Sequence, residues 1–340
     1  MHFNKPFEIA YEKTDTADIV VLGLYDTEGN FGLGSAAPAP EITGETVDAD
    51  YDILHKNINP DFFNIPLNNA NDLKLYHEKI EKIFHQMPSA QMAVESAILE
   101  LFAKRNNISL TEFFGGYRTT CDIVMTICLK NMADTASEAK ERIKQGYKKI
   151  KLKCGVDVDE DSARIKLVSE LLPHDGCLTL DANQGYTFDE AARFLKNMES
   201  YPIKLIEQPT RENDFDALKL LKKTSKIPII ADESARNFED AEKLINGDFI
   251  DGINIKLMKC GGPFNFIKIF NLIKSHGKTA LIGCMYESQI SMTMGAHLAL
   301  GLPIDYVDLD TGRLDFADDP ARGGVDIYDG KIQKIEPLTI

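Results

Sequence analysis

From about residue 120 onward the chain repeats one two-part unit. A short run of aliphatic and β-branched residues is followed by a longer stretch in which apolar positions recur three and four apart. The short runs are "DIVMTICL" (122–129), "KKIKLK" (148–153), "CLTLDAN" (177–183), "IKLIEQP" (203–209), "IPIIADE" (227–233), "DGINIKL" (251–257), "KTALIGC" (278–284) and "DYVDLDT" (305–311). Nearly continuous hydrophobicity over so few residues is how parallel strands covered on both faces read. The stretches between them, among them "DEDSARIKLVSELLP", "FDEAARFLKNMES" and "DFDALKLLKKTS", place acidic residues early and keep helical spacing afterwards. Eight strands with helical crossovers predict an α/β fold closed into a barrel rather than an open sheet. The small residues of "SQISMTMGAHLALG" suit close packing on that sheet, so its methionines and His297 are expected in the core.

The N-terminal part lacks this unit. "FEIAYEKTDTADIVVLGLYDTEGNFGLGSAAP" reads as strands and turns, with "TEGN" a hairpin signal, and two helical stretches follow before "FFGGYR". The tail "GVDIYDGKIQKIEPL" returns to short strands. The expected organisation is an α+β domain built from residues 1–117 and 313–340, attached to a barrel over residues 118–312.

A net charge of −15 argues against polyanionic partners such as nucleic acid or an acidic membrane. No apolar run approaches the ~20 residues needed to cross a bilayer. Six cysteines form no C-x-x-C pair, and "MHFNKPFEIA" does not resemble a secretion signal, so a cytoplasmic protein with reduced thiols is expected. Seven scattered histidines offer no zinc-type spacing. Self-association into a homo-oligomer is left open by the sequence.

Charges mark the ends of the apolar runs. Lys153 ends the second, Asp181 the third, Glu207 the fourth, Asp232 the fifth and Lys256 the sixth, at separations of 24 to 28 residues, each one strand–helix unit. All therefore fall on the rim where barrel active sites are built. Three converging carboxylates repel unless a cation joins them, and three hard oxygens suit octahedral magnesium. Lys153 and Lys256 flank the triad on opposite walls, as needed to remove a proton from one face of a carbon and return one on the other. Lys151 shares a strand face with Lys153, so it would lower that neighbour's pKa and add positive charge for a substrate carboxylate.

"KLK" (151–153), "DAN" (181–183), "EQP" (207–209), "ADES" (231–234) and "NIKLMKCGG" (254–262) together resemble the muconate-lactonizing subgroup of the enolase superfamily. The resemblance implies a modified TIM barrel, (β/α)7β, under an α+β cap. It implies Mg2+ ligation by Asp181, Glu207 and Asp232, proton transfer by Lys153 and Lys256, and orienting roles for Asn183 and Glu233. That superfamily pairs a Lys or His base with magnesium.

Within the subgroup, "DLD" (308–310) resembles the D-x-D of dipeptide epimerases, whose carboxylates bind the ammonium of a dipeptide. Period 2 puts Asp308 and Asp310 on one face, where a buried ammonium needs an anion. The reaction so implied is inversion at Cα of the C-terminal residue by 1,1-proton transfer through an enediolate. Thr126 on the first run and Cys284 on the seventh occupy matching rim positions as substrate contacts. Two departures from the family pattern stand out. Ser35 of "GSAAP" occupies a position that is acidic in many relatives, and the loop over 11–18 carries Glu12, Lys13, Asp15 and Asp18 but no arginine. Small or hydrophobic dipeptides are therefore expected over Ala-Glu. A cycloisomerase or o-succinylbenzoate synthase of the same subgroup, a Schiff-base aldolase using Lys256, and a barrel that only binds its ligand are the alternatives.

Overall fold

A computed structural model of the protein describes residues 1–8 and 13–340. At its centre is a parallel eight-stranded sheet in chain order: β1 Val124–Ile127, β2 Lys149–Lys153, β3 Cys177–Asp181, β4 Ile203–Glu207, β5 Ile229–Ala231, β6 Gly252–Lys256, β7 Thr279–Gly283 and β8 Tyr306–Asp308. Each lies inside one of the apolar runs. The register sets Lys153 beside Asp181 and Asp181 beside Glu207, so residues ending successive strands stand next to one another. At the seam between β8 and β1 a side chain replaces a ladder bond: Asp310 Oδ2 accepts the Thr126 N–H at 2.7 Å. The fold is a (β/α)7β barrel with an α+β cap.

The crossover helices form where the spacing put them, Val158–Ser169, Phe188–Met198 and Phe215–Thr224 among them. The helix Phe188–Met198 starts at a capping box, Thr187 with Glu190, and buries Ala191, Phe194, Leu195 and Met198 against the sheet. In the last crossover, Gln289–Gly301, Met292 and Met294 are core residues. His297 is only partly buried: its Nδ1 lies 2.8 Å from Thr111 Oγ1, and burial pulls its pKa down to about 4.

In the cap, the hairpin Val20–Tyr25/Phe31–Ala36 turns where Asp26 accepts the N–H groups of Glu28 and Asn30. It lies on the helix Pro88–Asn106 so closely that a Cβ at Gly34 would sit 1.8 Å from Ala93 O. Ser35, on the same strand, is buried with its Oγ 2.5 Å from Ser291 Oγ and 3.1 Å from Ser288 Oγ, a hydroxyl contact between cap and barrel. The tail strands Arg322–Tyr328 and Lys331–Thr339 pair with each other, and the second of them pairs with Cys121–Asp122, just ahead of β1. The N-terminal strand His2–Glu8 reaches the stretch after β8, where Asn4 N–H donates to Asp315 O and the Phe3 ring packs on Phe316. Among the described residues, no helix is long and apolar enough to cross a membrane.

Candidate active site

Asp181 closes β3, Glu207 closes β4, and Asp232 follows β5 directly, all three essentially without solvent exposure. One carboxylate oxygen from each lies within 4.8 Å of the others. Around them stand the lysines. Lys153 Nζ is 2.8 Å from Asp181 Oδ2 and 2.9 Å from Asn183 Oδ1, while Lys256 Nζ is 2.8 Å from Asp232 Oδ2. Lys151 does not merely sit beside Lys153. Its Nζ lies 2.7 Å from Asp308, 2.9 Å from Asp181 and 3.0 Å from Glu207, so its charge is matched by three carboxylates.

The pKa directions follow from these neighbours. Burial works against ionisation of Asp181, yet Lys151 and Lys153 hold it well below the usual carboxylate range. Lys256 and Lys259 do the same for Asp232. Burial, opposed by Lys151 but joined by Asp181 and Asp308, pushes Glu207 up to about 8. Glu233 rises to about 7 through burial and the charges of Asp232 and Asp181. The amines of Lys151 and Lys256 are raised despite burial, mainly by Asp181 in the first case and Asp232 in the second.

This donor set fits a divalent metal ion. With every group ionised, the six carboxylates Asp181, Glu207, Asp232, Glu233, Asp308 and Asp310 exceed the four amines of Lys151, Lys153, Lys256 and Lys259 by two negative charges. Burial and this crowding raise Glu207 and Glu233, and a dication would offset the excess. Three hard oxygens and two surplus charges match a hard dication. Asn183 and Glu233 support this arrangement: Asn183 Nδ2 donates to Glu233 Oε1 at 3.2 Å, and the Asn183 N–H donates to Asp181 Oδ1 at 3.0 Å.

Three further residues belong to the site and were not assigned a role from sequence. Gln208 Oε1 accepts the N–H groups of Asp232 and Ser234, tying the end of β4 to the loop after β5. Asn254 Nδ2 donates to Glu207 Oε2 at 2.8 Å. Lys259 Nζ donates to Asp232 Oδ1 at 2.6 Å. All three stand inside motifs already quoted, "EQP" and "NIKLMKCGG", which is the only signal that pointed to them.

The triad opens into a cavity of about 330 Å³ between barrel and cap. Lys151, Lys153, Lys256, Asp308, Asp310 and Thr126 line its barrel side. Cys284 lines it too, with Sγ 3.7 Å from Asp310 Oδ1 and a thiol pKa driven well up by burial and then by Asp310 and Asp308. The cap contributes Pro38, Pro40, Ile42 and Val47, together with Asp18 and Glu41. Of the loop over 11–18, Thr16 and Ala17 also reach the cavity, whereas Glu12 lies outside the described residues.

A (β/α)7β barrel with carboxylates at three successive strand ends, an amine on either side and a cap over the mouth defines a member of the enolase superfamily. Residues 1–115 match the N-terminal domain of the mandelate racemase / muconate lactonizing enzyme family and residues 134–336 match the enolase C-terminal domain-like family, and the chain belongs to that family. It is 34% identical over 327 residues to a hydrophobic dipeptide epimerase of Enterococcus faecalis, covering 94% of this chain and 90% of that protein. Among solved structures, a substrate-liganded L-Ala-D/L-Glu epimerase from Bacillus subtilis superposes with a TM-score of 0.92 at 29% identity, over 99% of this chain and 93% of that one. An Enterococcus faecalis dipeptide epimerase complexed with Mg and L-Leu-L-Tyr superposes with a TM-score of 0.90 at 31% identity, over 98% and 94%. With relatives named as epimerases and racemases, the chain is an isomerase of that kind.

Proposed function

We propose that the protein is a magnesium-dependent dipeptide epimerase that inverts Cα of the C-terminal residue. The observation that carries this reading is the placement of two amines, Lys153 on β2 and Lys256 on β6, on either side of the Asp181–Glu207–Asp232 triad and both facing the cavity. A magnesium ion held by Asp181, Glu207 and Asp232 would take up the negative charge that spreads onto the substrate carboxylate when the α-proton leaves. One lysine takes that proton from one face, and the other delivers a proton to the opposite face of the planar enediolate. Asn183 orients Lys153 through its Oδ1, and Lys151 adds positive charge beside the carboxylate. Asn183 is in turn held by Glu233.

A dipeptide brings an ammonium as well as a carboxylate. Asp308 Oδ1 is buried without a hydrogen-bond partner among the described residues and Asp310 stands beside it in the cavity, so both are suited to receive that ammonium. Thr126 and Cys284 flank them as further substrate contacts. The cap side of the cavity supplies apolar side chains and two carboxylates, with no basic residue among those described. Small or hydrophobic dipeptides are therefore favoured over Ala-Glu, whose second side chain would meet like charge. The test is a dipeptide library incubated with the enzyme and magnesium in heavy water, read by mass spectrometry for deuterium at Cα of the C-terminal residue. Incorporation into a subset of small and hydrophobic dipeptides is the expected result. No incorporation into any of them would overturn the proposal.

A further inference from the structure

Asp232 has two cationic partners with different surroundings. Lys256 meets Oδ2 from the cavity wall and is partly exposed. Lys259 meets Oδ1 from behind, is 4% exposed, and takes no part in lining the cavity. Its three N–H donors are all used: 2.6 Å to Asp232 Oδ1, 2.5 Å to Asp232 O and 3.2 Å to Asn254 O. The amine therefore joins the end of β5 to β6.

The ladder stops short at that point. β5 pairs with β6 only at Ile230–Gly252 and Ala231–Ile253, whereas β6 pairs with β7 at five positions out to Lys256–Gly283. Asp232 thus stands just beyond the last β5–β6 pair, with no strand bond to that neighbour fixing it. Lys259 supplies the missing connection. Lys259 is itself held in place, because its helical turn Leu257–Cys260 ends in Gly261 and Gly262, which lie against Gln91 and Glu95 of the cap helix Pro88–Asn106. Glu95 Oε2 also accepts the Phe264 N–H.

We propose that Lys259 is a positioning residue of the metal site, clamping Asp232 by Oδ1 and by its carbonyl so that Oδ2 is the oxygen presented to a divalent cation. This rests on the metal-binding reading given above. Charge and clamp make opposite predictions. Removing a buried positive charge next to the triad would by Coulomb's law tighten cation binding. Removing a group that orients a ligand loosens it, typically by about 10- to 100-fold.

The experiment compares the parent protein, Lys259→Met and Lys259→Ala for Mn2+ binding without substrate, by the electron paramagnetic resonance of free Mn2+. Thermal unfolding without metal is recorded alongside. Binding in Lys259→Met weaker by about tenfold or more is the expected result. Lys259→Ala, refolded if necessary with the additive present, should regain Mn2+ binding with ethylammonium and not with n-propanol. Equal or tighter binding in Lys259→Met, even with lowered stability, would show a strap between strands and nothing more, and would overturn the inference. Rescue of Lys259→Ala by both additives, or by neither, would overturn it as well. Failure of the parent protein to bind Mn2+ would instead remove the metal-binding reading on which the inference stands.

Discussion

Lys151 and Lys153 pair with the same oxygen: Asp181 Oδ2 lies 2.9 Å from the first amine and accepts a hydrogen bond from the second at 2.8 Å. Two like charges on one strand face are thereby held together by a shared anion. Lys151 is the more deeply committed, bridging Asp181, Glu207 and Asp308 at once. Lys151→Met leaves three buried carboxylates short of a counter-ion, and removing one member of a buried ion pair costs about 3–5 kcal/mol. The metal-free variant should unfold at a clearly lower temperature than the parent. Millimolar magnesium should recover part of the difference, because a dication replaces the missing charge. Differential scanning calorimetry with and without magnesium checks both points, and a variant as stable as the parent without metal would contradict the counter-ion role.

Lys153 and Lys256 reach the cavity from different strands, and each touches a different acid of the triad. Lys153→Ala and Lys256→Ala should each lower the epimerisation rate by about 100- to 10,000-fold, the usual contribution of a positioned acid or base. The variants should still bind Mn2+, since the three carboxylates remain. Steady-state polarimetry and metal titration separate the two effects. Loss of metal binding together with activity would place these amines in a structural role instead.

Asp310 has divided duties. Oδ2 accepts the Thr126 N–H and closes the barrel seam, while Oδ1 faces the cavity near Cys284 Sγ. In Asp310→Asn the amide oxygen can still accept from Thr126, so the seam persists and only the charge goes. With a free dipeptide, kcat/KM should fall by about tenfold to a hundredfold, the worth of one hydrogen bond to a charged group. The N-acetylated dipeptide has no ammonium, and its slow turnover should not change. An equal loss on both substrates would mean that Asp310 serves the seam alone.

The rim of the barrel was legible because two periodicities are rigid. Strand residues alternate faces, and each strand–helix unit advances by nearly constant length, so Asp181, Glu207, Lys153 and Lys256 could be placed from the chain alone. What could not be read lies just past the strand ends. There Asn183, which only the family resemblance had named, and Gln208, which nothing had assigned, take left-handed backbone conformations, φ 40° and 33°, which re-aim the chain out of strand periodicity. Gln208 thus turns its amide across to Asp232 and Ser234. Lys259 sits on a short helical turn whose direction is fixed by contacts with Gln91 and Glu95, 164 or more residues away in the chain. The seam contact of Asp310 was hidden for the same reason, since it depends on how β8 meets β1.

Glu45 and Asp50 form a second buried carboxylate cluster, immediately behind the cap residues Thr46 and Val47 that line the cavity. Glu45 accepts the N–H groups of Ser89 and Ala90 at the start of the helix Pro88–Asn106, and Asp50 lies against it, fully enclosed. Burial, then the charge of Asp50, pushes Glu45 up to about 8, and burial raises Asp50 to about 6. Both folded-state values exceed those of the unfolded chain, so the folded protein holds protons that the unfolded chain releases. Stability from this pair is therefore fully present below about pH 4 and is lost as pH rises through about 6 and then about 8. A tenfold difference in proton affinity between the folded and unfolded chain corresponds to about 1.4 kcal/mol, so the loss is on the order of a few kcal/mol. Glu45→Gln keeps an acceptor for the helix N-terminus and cannot ionise, which should flatten the upper part of the profile between pH 6 and 9. Urea unfolding of the metal-free protein at half-unit pH intervals measures the slope. If parent and variant lose stability in parallel over that range, the proton is held elsewhere and the cap is not anchored through this pair.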